Sequence, residues 1–112
     1  MADNARPFVV EQTSPNMIKW VMGMMERCSL QALLGCSVAS SSTDFRSELA
    51  KINLPTLVIQ GDKDVNGIDR TGRKTAAVIP GARFKVYEGA PHGLFLTHMD
   101  RLNEDLLQFA GE

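Results

Sequence analysis

The chain has 112 residues, of which 44% are hydrophobic and 22% charged, and its formal net charge is −1 at pH 7. This length allows one domain at most, and this composition is typical of a soluble globular protein rather than a disordered one. The near-neutral charge argues against nucleic acid and against an anionic membrane surface as partners. No apolar run approaches the roughly 18 residues of a membrane span, and the opening MADNARPF lacks the layout of a signal peptide, so we expect a cytoplasmic location.

The first part of the chain predicts helices and no strand. Ser14 and Pro15 form a typical helix start, and apolar residues recur at helical spacing from 17 to 25. We expect the methionines of this stretch, together with Trp20, to contribute to a core. A second helix is predicted from Leu30 to Ala39, where the polar cluster SSSTD ends it, and FRSELAKI predicts a short third helix.

The two cysteines lie within this helical part. Cys28 and Cys36 are eight residues apart, about 12 Å along a continuous helix at ~1.5 Å per residue, which is too far for a disulfide bond. We therefore expect two reduced and mostly buried thiols. Two cysteines alone do not make a zinc site.

After Leu54 the pattern changes to alternating strand and helix. TLVI, residues 56–59, is a short apolar run between Pro55 and Gly61 and predicts a buried strand. Asp69 is a candidate cap for a helix over residues 70–79, and ARFKVYEG predicts a second strand. Such a β-α-β unit makes two parallel strands.

A closing helix follows the second strand. Thr97 and Asp100 are spaced as in a capping box. The apolar residues after them recur on one helical face, namely Met99, Leu102, Leu106 and Phe109. The second half of the chain is therefore predicted to be β-α-β-α.

Two polar side chains follow the two predicted strands. Asp64 comes after the first strand in QGDKD, and His92 comes after the second in YEGAPHG. Neighbouring parallel strands lie about 4.8 Å apart, and functional groups collect beyond their carboxyl ends, so we expect Asp64 and His92 to meet. A carboxylate beside a histidine fixes the imidazole tautomer and stabilises its protonated form. This placement predicts an acid–base pair.

The same segments resemble a known family. LPTLVIQGDKD, followed by IPGARFKVYEGAPHGLFLTHMDRLNEDLLQF, is similar to the C-terminal part of an α/β-hydrolase, and most similar to the cofactor-free haloperoxidase, perhydrolase and esterase group. SSTDFRSELAKI resembles the segment that leads from the helical cap of that family to its core. The resemblance implies a partial α/β-hydrolase fold of class α/β. It implies a helical cap-like segment at 1–44 and the C-terminal part of the core, with a short parallel sheet, at 45–112.

The resemblance also implies site residues. The catalytic triad of the family has the chain order serine, aspartate, histidine. By motif, the acid corresponds to Asp64 and the base to His92, in agreement with the strand-end argument. Asp62 is a competing acid, although its position directly after Gly61 suits a turn better.

The sequence departs from the family in two respects. The family needs a G-x-S-x-G nucleophile elbow and an oxyanion hole from an earlier strand loop, and neither precedes the cap-like segment. GCSVA contains Ser37, but a predicted helix precedes it, so we interpret Ser37 as a helix-end residue. The loop after Asp64 is shorter than in the family, and Asn66 and Gly67 predict a turn there, so the direction of the Asp64 side chain depends on that loop.

Other polar residues are weaker candidates. We expect His98 to be exposed, and we expect Arg70, Arg73 and Lys74 to form a solvated helix face, with carboxylate binding as the alternative. Asp64, His92 and His98 lack the spacing of a recognised metal site, so neither a metal nor another cofactor is predicted.

The sequence therefore predicts the C-terminal portion of an α/β-hydrolase, which supplies Asp64 and His92 but lacks the nucleophile and the oxyanion hole. We expect it to be a very poor esterase alone. The alternative is a catalytically inactive, free-standing binding or assembly protein derived from such a hydrolase. Because an apolar strand with a free edge invites pairing, we expect a homo-oligomer, with a complementary N-terminal hydrolase half as the alternative partner.

Overall fold

The computed structural model describes residues 9–10 and 12–112, and within them six helices and two strands follow one another. Their bounds are α1 Pro15–Glu26, α2 Leu30–Ser42, α3 Arg46–Leu49, β1 Leu57–Gly61, α4 Gly72–Val78, β2 Arg83–Tyr87, α5 Leu94–Thr97 and α6 Met99–Ala110. Residues 1–8, on which the signal-peptide argument rests, lie outside the described part. Within that part, no helix is both long enough and apolar enough to cross a membrane.

The two strands form a parallel sheet, which confirms the predicted β-α-β unit. Leu57 pairs with Arg83 at one end of the register, and Gly61 pairs with Tyr87 at the other. α4 connects the strands and packs against both of them. Because the strands run in the same direction, the loops that follow Gly61 and Tyr87 leave the sheet side by side.

The apolar core lies at the carboxyl end of the sheet. Tyr87, Ala90 and Leu94 form its buried cluster, and Ile59 and Leu102 pack against them. Ala90 and Pro91, directly before His92, are buried, so this part of the His92 loop is anchored in the core.

A polar network ties α6 to β2 beside this core. The Tyr87 hydroxyl donates a hydrogen bond to the Asp105 carboxylate, and Lys85 Nζ lies 2.6 Å from Asp105 Oδ1. Burial, followed by the hydrogen bond to Asp105, raises the pKa of Tyr87 to about 12. The hydroxyl therefore stays protonated at neutral pH and remains a donor.

α1 begins as predicted, but its apolar stripe is only partly covered. Ser14 is the N-cap, its Oγ accepts from the Met17 N–H at 3.2 Å, and Pro15 follows. Val21 is buried, whereas Trp20 is 52% exposed. The prediction that Trp20 belongs to the core was therefore wrong.

α2 is longer and more exposed than predicted. It continues through Ser42 because hydroxyl groups bond back to carbonyls one turn earlier, with Ser42 Oγ donating to Val38 O at 2.7 Å and Thr43 Oγ1 to Ala39 O at 2.6 Å. No residue of α2 is buried. Cys28 and Cys36 are both exposed free thiols, so the prediction of buried cysteines was wrong.

Two predicted helix caps are also wrong. α4 spans Gly72–Val78 rather than 70–79, and Asp69 does not cap it because its carboxylate pairs with Arg73 at 2.7 Å. The segment 94–110 is divided into α5 and α6, and no side chain caps α6. The Thr97 hydroxyl instead lies 2.8 Å from His98 Nδ1.

Candidate active site

Asp64 lies in the tight turn directly after β1. Its backbone N–H donates to the Gly61 carbonyl at 3.3 Å, and its Oδ1 accepts from the Asn66 N–H at 2.8 Å. Gly67 then takes a positive φ of 71°, a conformation that favours glycine. This turn directs the carboxylate back toward the sheet, and the Asp64 side chain is only 5% exposed.

The loop that carries His92 is fastened to the Asp64 loop by hydrogen bonds. The Lys63 N–H donates to the Ala90 carbonyl at 3.0 Å, and the Gly89 N–H donates to Asp62 Oδ1 at 2.7 Å. Asp62 thus joins the two loops, in keeping with the turn-shaping role considered for it. The direction of each loop fixes the direction of the other.

Asp64 and His92 are in direct contact, so their predicted proximity is confirmed. His92 Nδ1 lies 2.9 Å from Asp64 Oδ2. Because an ionised carboxylate only accepts hydrogen bonds, Nδ1 must carry the proton, and Nε2 is then the basic nitrogen of the neutral ring. Asn66 Nδ2 also approaches Nδ1, at 3.4 Å, but an amide cannot donate to a nitrogen that already carries a proton. The His92 side chain is 43% exposed, so its ring is accessible.

Opposing effects set the ionisation of Asp64. Burial acts to raise the pKa of its carboxyl group, whereas hydrogen bonds from His92, from the Asn66 N–H and from Gln60 act to lower it, as does the charge of His92. The lowering effects prevail, and the pKa lies below its ordinary value. Asp64 is therefore an anion at neutral pH, as an orienting carboxylate requires.

A cavity of about 470 Å³ opens beside this pair. Asp64 and His92 form part of its wall, and Ile59, Leu94 and Phe95 contribute apolar surface. An apolar hollow with a few polar groups at one end is typical of a small-molecule site.

The other predicted candidates lie elsewhere or have other contacts. Ser37 is an exposed residue inside α2. His98 is partly buried rather than exposed, and its ring lies 6.4 Å from that of Tyr87. Arg73 pairs with Asp69 and lies over the Phe84 ring, on an exposed face as expected. Within residues 9–10 and 12–112, no group of three or more His, Cys, Asp or Glu side chains is placed to hold a metal ion.

Gln60 is the residue of this site that the sequence reasoning missed. It is the buried fourth residue of β1, and its Nε2 donates to Asp64 Oδ2 at 3.0 Å. A polar residue at the end of an otherwise apolar strand was the available signal.

Comparison with known proteins gives similar chains among haloperoxidases and esterases. The chain is 44% identical over 93 residues to the non-heme chloroperoxidase CPO-A1 of Kitasatospora aureofaciens. This matched stretch is 80% of this chain and 33% of that protein. It is 36% identical over 91 residues to the bifunctional esterase/perhydrolase DCH of Acinetobacter calcoaceticus, covering 80% of this chain and 32% of that protein. No family model matches the chain.

Solved structures agree with these relatives. The bromoperoxidase from Bacillus anthracis superposes with a TM-score of 0.92 and 31% identity, covering 99% of this chain and 42% of that one. The chain spans about a third of the length of the curated relatives it matches. The predicted resemblance and the predicted α/β class are confirmed. The chain therefore belongs to the α/β-hydrolase superfamily, among the non-heme haloperoxidases and esterases, and corresponds to a C-terminal portion of its relatives.

Proposed function

We propose that this chain supplies the acid–base pair of an acyl-transfer site, with His92 as the general base and Asp64 as the carboxylate that orients it. The observation that carries the proposal is the 2.9 Å contact between His92 Nδ1 and Asp64 Oδ2. The roles follow from the chemistry of the two groups. An aspartate anion behind Nδ1 holds the ring in one tautomer and stabilises the imidazolium that forms during catalysis.

In this mechanism a nucleophilic hydroxyl gives its proton to His92 Nε2 as its oxygen attacks the acyl carbon. The protonated ring then returns the proton to the leaving group, and a water molecule repeats the sequence to release the acid. Asp64 stays ionised throughout, in keeping with its lowered pKa. The cavity beside the pair is the proposed place for the acyl group.

The nucleophile and the oxyanion hole are proposed to come from polypeptide that is not part of this sequence. The relatives are about three times as long as the stretch they share with this chain. Within the described residues, β1 pairs with β2 alone, so the other edge of β1 presents backbone N–H and C=O groups for another strand. A partner strand along β1 would lie next to the loop that holds Asp64.

Reconstitution tests this function. The remaining N-terminal part of the Kitasatospora relative is co-expressed with this chain, and hydrolysis of a small activated ester is measured. We expect turnover with the wild-type chain, and a loss of roughly 10²–10⁴-fold with His92→Ala or Asp64→Asn, the usual range for general acid–base catalysis.

Asp62→Asn is the matched control for Asp64→Asn. Asp62 lies two residues away, and an asparagine there keeps an oxygen for the Gly89 N–H. We expect this variant to retain turnover. If Asp62→Asn lost activity and Asp64→Asn kept it, the assignment of the acid would be wrong.

A second candidate is an assembly protein without catalysis, and the exposure of α2 favours it. Leu30, Leu33, Leu34 and Val38 are 47–70% exposed, although each is a large apolar residue. Exposed apolar patches of this kind mark interaction sites. In this candidate, a second copy of the chain covers α2 and gives a homo-oligomer.

Sedimentation velocity of the purified chain at micromolar concentration tests this candidate. We expect a dimer or higher oligomer, and dissociation by the double variant Leu33→Gln, Leu34→Gln. The matched control is Leu107→Gln, which changes a still more exposed leucine on α6. A well-folded monomeric wild-type chain would eliminate this candidate.

A further inference from the structure

We propose that Gln60 is a positioning residue: its buried amide holds the Asp64 carboxylate toward His92. The catalytic meaning of this role rests on the proposed function, but the contacts themselves belong to this chain. Gln60 is 8% exposed and precedes Asp64 by four residues. Its Nε2 donates at 3.0 Å to Oδ2, the same Asp64 oxygen that accepts from His92.

The amide of Gln60 is locked in one orientation. At its oxygen end, Oε1 accepts from the Gly72 N–H at 2.8 Å. The Thr71 hydroxyl oxygen accepts from Nε2 at 2.8 Å, and its single proton faces both Gly67 O at 2.9 Å and Oε1 at 3.0 Å. A backbone N–H only donates and an ionised carboxylate only accepts, so the oxygen must face Gly72 and the nitrogen must face Asp64. The amide therefore cannot flip without losing its bonds to the Gly72 N–H and to the Asp64 carboxylate.

The Asp64 carboxylate is consequently held at both oxygens. Oδ1 accepts from the Asn66 N–H at 2.8 Å, and Oδ2 accepts from Gln60 as well as from His92. The Asn66 bond alone would still allow the carboxylate to tilt. The Gln60 bond opposes that tilt and keeps Oδ2 in line with Nδ1.

The beginning of α4 is shaped to admit this amide. A Cβ atom at Gly72 would lie 2.3 Å from Gln60 Oε1 and 2.9 Å from the Phe84 ring, so a side chain there would displace Gln60. Gly72 is itself buried. The missing side chain makes room for the Gln60 amide between α4 and Asp64.

A purely structural role, in which Gln60 only supports the start of α4, makes a different prediction for the His92 ring. Such a role would leave the tautomer of His92 unchanged in any variant that still folds. If Gln60 positions Asp64, its loss weakens the Nδ1–H bond, and the ring shifts toward the Nε2–H tautomer that free histidine prefers.

The experiment records ¹⁵N chemical shifts of the His92 ring in the isolated chain at a pH where the ring is neutral. We expect mainly the Nδ1–H tautomer in the wild type and a larger Nε2–H population in Gln60→Met, which has a similar length but no amide. Gln60→Leu removes the same donor with a branched apolar side chain, so we expect the same shift. Gln31→Met makes the change of Gln60→Met on the exposed α2 and should behave as the wild type.

Circular dichroism verifies that each variant is folded, and Thr71→Val provides an exposed substitution if both Gln60 variants unfold. Thr71→Val removes a hydroxyl that contacts the amide but leaves its bonds to Gly72 and Asp64, so it should give a smaller shift in the same direction. A folded Gln60 variant with the wild-type tautomer population would overturn the proposal, as would a folded Thr71→Val with that population if both Gln60 variants unfold. Because this readout uses no substrate, it separates the positioning role from the proposed function.

In the reconstituted enzyme, Gln60→Met should lower kcat more than it changes KM, because the bond that is lost orients Asp64, although Gln60 also lines the cavity. We expect a loss of about 10–100-fold, as for residues that orient metal ligands in other enzymes. An unchanged kcat would contradict the proposal. If the wild-type pair showed no turnover while the tautomer shift was observed, the proposed function would fail and the positioning role would stand.

Discussion

The Asp64 carboxyl group combines near-complete burial with a lowered pKa. Its side chain is 5% exposed, and burial alone would favour the neutral acid. His92, the Asn66 N–H and Gln60 all donate to the ionised form, and their combined effect exceeds that of burial. The native state therefore binds a proton at this site less readily than the unfolded chain does.

This lowered pKa predicts a pH dependence of stability. A group whose pKa is depressed by folding stabilises the native state above its unfolded pKa, near 3.9 for aspartate, and loses that contribution as the pH falls through the native value. The free energy of unfolding of the wild type minus that of Asp64→Asn should therefore shrink between about pH 5 and pH 2. Urea denaturation at several pH values measures this difference, with Asp62→Asn as the reference variant. A difference that is constant over this range would contradict the pKa assignment.

Asp64 and His92 were predictable from the sequence because the carboxyl ends of parallel strands converge whatever the details of packing. Gln60 was not, because its partners Thr71 and Gly72 are eleven and twelve residues away and reach it only after α4 has formed. The failure of Asp69 as a cap has a local cause. Arg73, one turn later, competes for the same carboxylate.

At the scale of elements, the end of β1 meets the loop after β2 at very short range. A Cβ atom at Gly61 would lie 2.0 Å from the Ala90 carbonyl oxygen and 2.9 Å from that of Pro91. These neighbours are backbone atoms, which cannot rotate away as a side chain does. The absence of a side chain at Gly61 is what lets the Asp64 and His92 loops pack together.

We therefore expect Gly61→Ala to destabilise the chain by about 1–3 kcal/mol, the usual cost of overpacking, and to reduce reconstituted activity. The matched control is Gly35→Ala on α2, where a Cβ atom would meet nothing within 4 Å. Alanine is the better helix former by up to about 1 kcal/mol, so this variant should be as stable as the wild type or more so. Thermal or urea denaturation compares the two. Equal stability of Gly61→Ala and the wild type would contradict the close packing.

Helices and strands were predicted where local signals act alone, as at the Ser14 cap of α1 and the apolar run of β1. The predicted helix boundaries were wrong where the hydrogen bonds of side-chain hydroxyl groups determine where a helix begins or ends. Ser42 and Thr43 return hydrogen bonds to carbonyls of α2 and extend it, although a serine-rich run is typical of a loop. The Thr97 hydroxyl contacts His98 rather than capping α6.

At the scale of the whole molecule, the described chain is extended for its length. Its radius of gyration is 15.6 Å, against about 13 Å for a compact domain of 100 residues. The exposed α2 and the two-stranded sheet account for this shape, since neither is covered on all sides. Sequence patterns predict which faces of the chain are apolar. They do not predict which surface of another molecule covers such a face, so the oligomer partner stays a prediction.

The central claim is that His92 of this chain activates a nucleophile carried by another polypeptide. The most direct measurement is the rate at which an organophosphorus reagent labels the serine of the co-expressed N-terminal part of the Kitasatospora relative, since a serine hydroxyl reacts fast only beside a base. We predict fast labelling in the complex with the wild-type chain or with Asp62→Asn, and slow labelling in the complex with His92→Ala. Equally fast labelling in the complex with His92→Ala would contradict the claim.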